Sequence, residues 1–264
     1  MTFLPIGDAE LYTETSGSGE PVLLLHGGFC SLETMRPQAD ALATTHTVVA
    51  YERPGHGRTA DIDGPYDYAR GVSDAAAVLD RLGIASAHFV GYSDGAIIAL
   101  MLALEQPERV RSIVAISANL HPSGFTSAIT EIAQAGVPVG AESTHATADA
   151  TTAEVSAPEL DEEEEWYARL SPDGPEHAPM VIEKLRRLWT NEPDIDPASL
   201  ATIAVPSLIV AGEFDAIRPE HTALIASSIP RGRLHIVAGA SHGVVSEQPE
   251  HITALLQEFL AEAE

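Results

Sequence analysis

Ser93 stands in Gly-Tyr-Ser-Asp-Gly (Gly91 to Gly95), where an apolar run gives way to a helical pattern. A serine hydroxyl is a weak nucleophile. It needs a base within hydrogen-bond reach, a carboxylate to hold that base, and donors for the oxyanion that forms. The chain offers candidates for each. Asp215 lies in a turn after the apolar run of "LIVAGEFDAIRP", and His242 in the Gly/Ser loop of "IVAGASHGVVSEQPE". "LLLHGGF" (Leu23 to Phe29) ends in glycines that free backbone amides to point at a small anion. The Gly-x-Ser-x-Gly itself has two readings. One is a strained strand-to-helix turn that presents the hydroxyl, its glycines removing side chains that would clash. The other is a turn whose serine only caps the following helix.

Side chains so far apart need a scaffold. Val22–His26, Thr47–Tyr51, Ala87–Tyr92, Val110–Ser117, Pro206–Gly212 and Arg233–Gly239 are short, nearly continuous apolar runs. Runs without in/out alternation suit strands covered on both faces, as in a parallel sheet. Helical patterns lie between them. Asp67–Gly83 puts Val72, Ala75, Ala76, Leu79 and Leu82 on one stripe and stops at a glycine, while Asp94–Pro107 is apolar almost all round. Pro219–Pro230 and Glu250–Glu264 supply later helices, and "AELYTETSGSGEP" reads as an antiparallel hairpin strand at the sheet edge. The alternation predicts an α/β fold with helices on both faces of the sheet. Serine, acid and histidine then occur in chain order, each just past a strand's C-terminal end, where sites assemble in open parallel sheets.

Residues 120–197 break the rhythm. Val139–Glu159 is rich in Ala, Thr and Ser, and two helical patterns follow, in "PELDEEEEWYARLSPDG" and "APMVIEKLRRLWTNEP". Between Glu154 and Asp196 stand 13 acidic residues against Arg169, Lys184, Arg186 and Arg187, so the segment reads as an acidic helical insertion rather than a separate domain. Residues 1–119 and 198–264 form the expected core.

The whole chain of 264 residues has 14 Lys+Arg against 39 Asp+Glu, a net charge of −25. Such a surface repels nucleic acid and anionic membrane, which bind through cationic side chains. Cys30 is the only cysteine, which rules out an intrachain disulfide and suggests a reducing, cytoplasmic setting. The N-terminus lacks a basic signal-peptide region, and no apolar run approaches the roughly 20 residues of a membrane span. No His/Cys/Asp/Glu group has metal-ligand spacing, and no phosphate-binding glycine loop is present.

The ordered set of "HGG" (His26–Gly28), "ERPGHGRT" (Glu52–Thr59), "GYSDG", "AGEFDAIRP" (Ala211–Pro219) and "GASH" (Gly239–His242) resembles the α/β-hydrolase superfamily with a cap insertion, from Leu11 to Leu260. That resemblance implies a mostly parallel eight-stranded sheet flanked by helices, with a helical cap after the sixth strand. Ser93 matches the nucleophile, His242 the base and Asp215 the acid. Phe29 and Asp94 match the positions whose backbone N–H groups form the oxyanion hole. The acid of a family variant would fall after the preceding strand, where Asn119 stands and no carboxylate does.

The expected activity is hydrolysis of a carboxylic ester or related small acyl substrate through an acyl-enzyme, with no cofactor and no metal. Rival readings are a small-peptide or amide hydrolase, a cofactor-free perhydrolase or haloperoxidase, and a non-catalytic binding protein on the same fold. The Asp94 carboxylate is expected either along the helix start or beside the pocket, pairing with a cationic group of the substrate. His26 is expected beneath the oxyanion loop, His56 in the "RPGHG" turn, and Cys30 as a buried filler. Gly28, Tyr92, Leu120, His121, Phe125, Trp166, Trp189 and Phe214 are the candidate pocket residues. Tyr167 is a further large group that could wall the pocket or join cap to core.

Overall fold

The computed structural model describes residues 1–126 and 162–263. The stretch Val139–Glu159 lies outside them. In chain order come β1 (Thr2–Ile6), β2 (Ala9–Gly17), β3 (Pro21–Leu25), α1 (Arg36–Leu42), β4 (Thr47–Tyr51), α2 (Tyr68–Arg81), β5 (Ala87–Tyr92), α3 (Asp94–Glu105) and β6 (Val110–Ile116). From residue 162 follow α4 (Glu162–Leu170), α5 (Ala178–Asn191), β7 (Ser207–Phe214), α6 (Pro219–Ser228), β8 (Gly232–Ser241), the short α7 (Val244–Glu247) and α8 (Pro249–Ala263).

Eight strands form one sheet in the order β1-β2-β4-β3-β5-β6-β7-β8. β2 pairs antiparallel with both β1 and β4, and the remaining neighbours are parallel. The apolar runs explain themselves here. Leu23 and Leu25 of β3 face one core, with Val72, Val78 and Leu79 of α2 and Ile97 and Leu100 of α3. Val22 and Leu24 face the other, with Ala39 and Leu42 of α1 and Leu256 and Phe259 of α8. Both faces are covered, so neither parity is polar.

The segment "AELYTETSGSGEP" was expected at the edge; its strand, β2, lies one place in, and β1 takes the edge. Thr2–Ile6 is short and contains Pro5, and a residue without an N–H is tolerated on an edge strand. α2 begins as its sequence suggests: the Asp67 carboxylate accepts from Arg70 N at 2.6 Å, and Gly83, just past the helix, has φ +69°.

α4 and α5 lie between β6 and β7 in the chain, and Tyr167, Val181, Leu185 and Leu188 join the same apolar cluster as α2 and α3. Polar ties add to this. Lys184 Nζ and His177 Nε2 both reach Asp61 Oδ2, at 2.7 and 2.8 Å, and Thr34 Oγ1 donates to Glu163 Oε1 at 2.8 Å. Among the described residues no helix is long and apolar enough to cross a membrane.

Candidate active site

The sheet's order reverses at β3, whose neighbours are β4 on one side and β5 on the other. The loops after β3 and β5 therefore leave side by side, with Leu25 in register with Gly91. That crevice is where doubly wound sheets hold ligands. Ser93 is the first residue past β5 and has φ +51°, a conformation sparsely populated by non-glycine residues. The turn is possible because its flanks are bare. A Cβ on Gly91 would collide with the Gly95 carbonyl, and one on Gly95 with the Leu25 carbonyl. Ser93 precedes α3, yet its hydroxyl makes no capping bond.

The hydroxyl faces His242 instead. Nε2 of that imidazole lies 3.1 Å from Ser93 Oγ, and Nδ1 lies 2.7 Å from Asp215 Oδ1. A carboxylate only accepts, so Nδ1 carries the proton and Nε2 presents its lone pair to the serine. The ring of Tyr92 lies against the imidazole at 5.6 Å. Asp215 is fixed from several directions: Ile217 N donates to Oδ1 at 3.0 Å, and Ser117 Oγ and Gly212 N donate to Oδ2 at 2.6 and 3.2 Å. Burial alone would raise the pKa of Asp215, but the charge and hydrogen bond of His242, with the Ser117 and Ile217 bonds, hold it below the usual value. For His242 burial acts downward, and the Asp215 charge and hydrogen bond, with Asp94 and Glu247, carry its pKa above the usual imidazole value.

The loop after β3 comes close to the start of α3. A Cβ on Gly28 would lie 2.8 Å from Asp94 Oδ2 and would collide with the Trp189 ring. Phe29 has φ +58°, and its ring stacks on Tyr167 of α4 at 5.2 Å. The Ser93 amide is already bonded to the Ile116 carbonyl at 2.8 Å.

The Asp94 carboxylate follows neither expectation. It is buried, 1% exposed, and its bonds go to other side chains rather than to helix-start amides. Arg53 Nη2 donates to Oδ2 at 2.9 Å, while Tyr68 Oη and Trp189 Nε1 each donate to Oδ1 at 2.8 Å. Both oxygens are taken up by the protein itself. Burial works against the charge on Arg53, yet the Asp94 charge and hydrogen bond raise its pKa above the ordinary value. For Tyr68 burial comes first and the Asp94 charge second; both push the phenol well above its usual range.

A model of the alpha/beta hydrolase family matches residues 22–254. The chain belongs to that family. Among its relatives, RutD of Azorhizobium caulinodans, named as a carbamate hydrolase, is 31% identical over 99% of this chain and 99% of its own. The 2-hydroxymuconate semialdehyde hydrolase of Pseudomonas putida is 29% identical over 94% of this chain and 89% of its own. Among solved structures, the enol-lactonase of Burkholderia xenovorans LB400 superposes with a TM-score of 0.75 at 21% identity, over 98% of this chain and 99% of that one. At that identity the match shows the fold.

In this hydrolase the pocket candidates divide. Gly28, Tyr92 and Trp189 sit against the Ser93–His242 pair or Asp94, as described. Leu120 is buried, its amide donating to His221 Nε2 at 2.9 Å, and Phe125 pairs with Ile217 in an isolated bridge beside Asp215. For three others the structure shows solvent exposure or a local contact. Phe214 is 69% exposed, beyond the register shift at the end of β7. His121 is exposed and accepts from Ser123 N at 3.0 Å, a local turn bond. Trp166 lies under the Arg169 guanidinium, 4.6 Å from its ring centre.

His26 does lie under the β3 loop: Nδ1 donates to the Gly27 carbonyl at 2.7 Å, and Nε2 accepts from Arg53 N at 3.0 Å. Burial, then the Arg53 charge, depresses its pKa to about 3, so it is a neutral brace. His56 braces its own turn through Nδ1 and the Pro54 carbonyl, 2.9 Å apart. Cys30 is buried, and burial followed by the Glu163 charge keeps its thiol well above the usual value. Sequence reasoning passed over Arg53, Tyr68 and Ser117. A cation in "ERPGHGRT" and an acid beside the serine were the available signal for the first. Among the described residues no group of three or more His, Cys, Asp or Glu could hold a metal ion.

Proposed function

We propose that this alpha/beta hydrolase cleaves a carboxylic ester or related small acyl compound through an acyl-enzyme on Ser93. The observation that supports it is the bridging imidazole of His242, 3.1 Å from the hydroxyl of Ser93 and 2.7 Å from the carboxylate of Asp215. As Ser93 attacks the carbonyl, His242 takes its proton through Nε2, and Asp215 holds the tautomer and stabilises the imidazolium. The amides of Phe29 and Asp94 receive the oxyanion. The imidazolium then protonates the leaving group, and neutral His242 draws a proton from water for deacylation. The helices α4 and α5 act as a cap at this site, and the lone buried thiol suits a cytoplasmic setting. The substrate is a small molecule; an acidic surface disfavours nucleic acid and anionic membrane as partners.

The amine-recognising reading, and with it the aminopeptidase, loses the support it drew from Asp94, because both carboxylate oxygens are engaged internally. The names of the relatives widen the acyl class to be screened to lactones and carbamates, which offer the same attackable carbonyl. The test is a panel of p-nitrophenyl esters of rising acyl length with lactones and carbamates, run beside a fluorophosphonate probe. Ser93→Ala should abolish turnover and labelling with the circular dichroism spectrum unchanged. Undiminished activity in that variant would refute the assignment, and a parent chain that neither labels nor turns over would favour the binding-protein reading.

A further inference from the structure

The Arg53 side chain is 10% exposed and joins two loops through one atom. Its Nη2 donates to the Gly27 carbonyl at 3.0 Å and to Asp94 Oδ2 at 2.9 Å. Gly27 belongs to the loop after β3, and Asp94 opens α3. The proposed oxyanion amides, of Phe29 and Asp94, come from these same two segments. We propose that Arg53 is a positioning residue for the oxyanion pocket, its guanidinium tying the Gly27 carbonyl to the Asp94 carboxylate and so fixing the gap between the two donor loops. The proposal rests on the acyl-enzyme reading above.

Three features favour this role over simple charge neutralisation. In a trans peptide the carbonyl and the following N–H point in opposite directions. Holding the Gly27 carbonyl, which Arg53 does from the Asp94 side while His26 Nδ1 does so at 2.7 Å, therefore fixes the Gly27–Gly28 plane, one residue before the Phe29 amide. Second, the anchor does not swing, because Tyr68 and Trp189 hold the other Asp94 oxygen at 2.8 Å. Third, the loop rests on that anchor, since Gly28 has no room for a Cβ between Asp94 and Trp189. A buried ion pair is expensive to desolvate and often replaceable by apolar groups without loss of stability. Here it supplies directed donors to two acceptors on separate segments, which an apolar pair cannot do.

The test uses the full chain as Arg53→Met, Arg53→Lys, Asp94→Asn and the double variant Arg53→Met/Asp94→Asn, with kcat, KM and the fluorophosphonate labelling rate measured across pH. Arg53→Met should lower kcat and labelling together by about 30- to 100-fold, the scale of a misplacement of roughly 1 Å, with KM within about threefold. Arg53→Lys should recover part of that loss. The group that governs the acid limb of the pH profile, His242, is faced by Asp215, Asp94, Glu247 and the Tyr92 ring. The limb should rise in Arg53→Met, fall in Asp94→Asn and return in the double variant, while the plateau kcat stays low in all three. A plateau restored to the parent value at high pH in Arg53→Met would overturn the proposal, because Arg53 would then act only through charge. If Arg53→Met does not fold, parent-like labelling by a folded Asp94→Asn overturns it equally. A parent chain that fails to label removes the acyl-enzyme reading itself, and that failure is visible before any variant is made.

Discussion

The indole of Trp189 donates to the carboxylate of Asp94 across 2.8 Å, so a helix from the segment between β6 and β7 touches the residue that follows Ser93. Trp189→Phe keeps most of the ring and deletes the donor, leaving Tyr68 alone on that oxygen. A hydrogen bond to a charged group contributes roughly 1.5–3 kcal/mol, and Trp189 is half-buried, so the loss should be about 1–2 kcal/mol. Urea unfolding should show a lower midpoint with an unchanged slope. A midpoint equal to the parent's would mean that the contact contributes nothing.

Gly28→Ala tests the same junction from the other side. The added methyl meets the Trp189 ring and Asp94 Oδ2, so the loop must move or the indole must yield. Overpacking of this kind costs about 1–3 kcal/mol, and turnover should fall at least about tenfold because the Phe29 amide moves with the loop. In a Trp189→Phe background the nearer obstruction, the indole, is reduced while Asp94 Oδ2 stays, so the same substitution should cost less. Strict additivity of the two changes in a double-mutant cycle would show that they do not touch.

Much of the scaffold was legible because packing on both faces of the sheet writes itself as uninterrupted apolar runs. Thr47–Tyr51 and Ala87–Tyr92 were bounded to the residue, and the stripe at Val72, Ala75, Ala76 and Leu79 marked α2. β1 was not legible: five residues around Pro5 leave no pattern to read. The chain order of Ser93, Asp215 and His242 could be read because each follows its own strand. The partners of Asp94 could not. Arg53, Tyr68 and Trp189 lie 41, 26 and 95 positions away, and no local spacing encodes such contacts. The exposure of Phe214 was not legible for a related reason: which face a residue takes at a strand end depends on one step of parity, and the register shift beside it sets that step.

The pH dependence follows from the two shifts in the Asp215–His242 pair. In the proposed acyl-enzyme mechanism His242 must be neutral to accept the serine proton, so kcat/KM should rise with pH through an apparent pKa above the ordinary imidazole value of about 6.5. Asp215→Asn removes the charge that raises it, and should move that limb downward while lowering kcat by about 10⁴. Stability responds with opposite signs. The depressed pKa of Asp215 contributes stability above its unfolded value, lost as pH falls through the folded one. The raised pKa of His242 contributes stability below its unfolded value, lost as pH rises through the folded one. Chemical denaturation of the parent minus that of Asp215→Asn should therefore peak between the two folded pKa values. A difference independent of pH would contradict the coupling.

Ser117 offers the last separable element. Its hydroxyl donates to Asp215 Oδ2 at 2.6 Å from a backbone with φ +58°, so the end of β6 helps to aim an acid that follows β7. Ser117→Ala keeps the backbone strain and removes only the donor. The carboxylate then loses one of the bonds that satisfy its charge, which should cost about 1–2 kcal/mol of stability. It should also lower kcat about three- to tenfold by loosening the hold on His242. With less of its charge absorbed by Ser117, Asp215 attracts the imidazolium more strongly, and the acid limb should move slightly upward. Ser117→Thr restores the hydroxyl but adds a β-branch where φ is positive, so kcat should recover while the melting temperature does not. Recovery of both, or of neither, would show that the bond to Asp215 is not what Ser117 contributes.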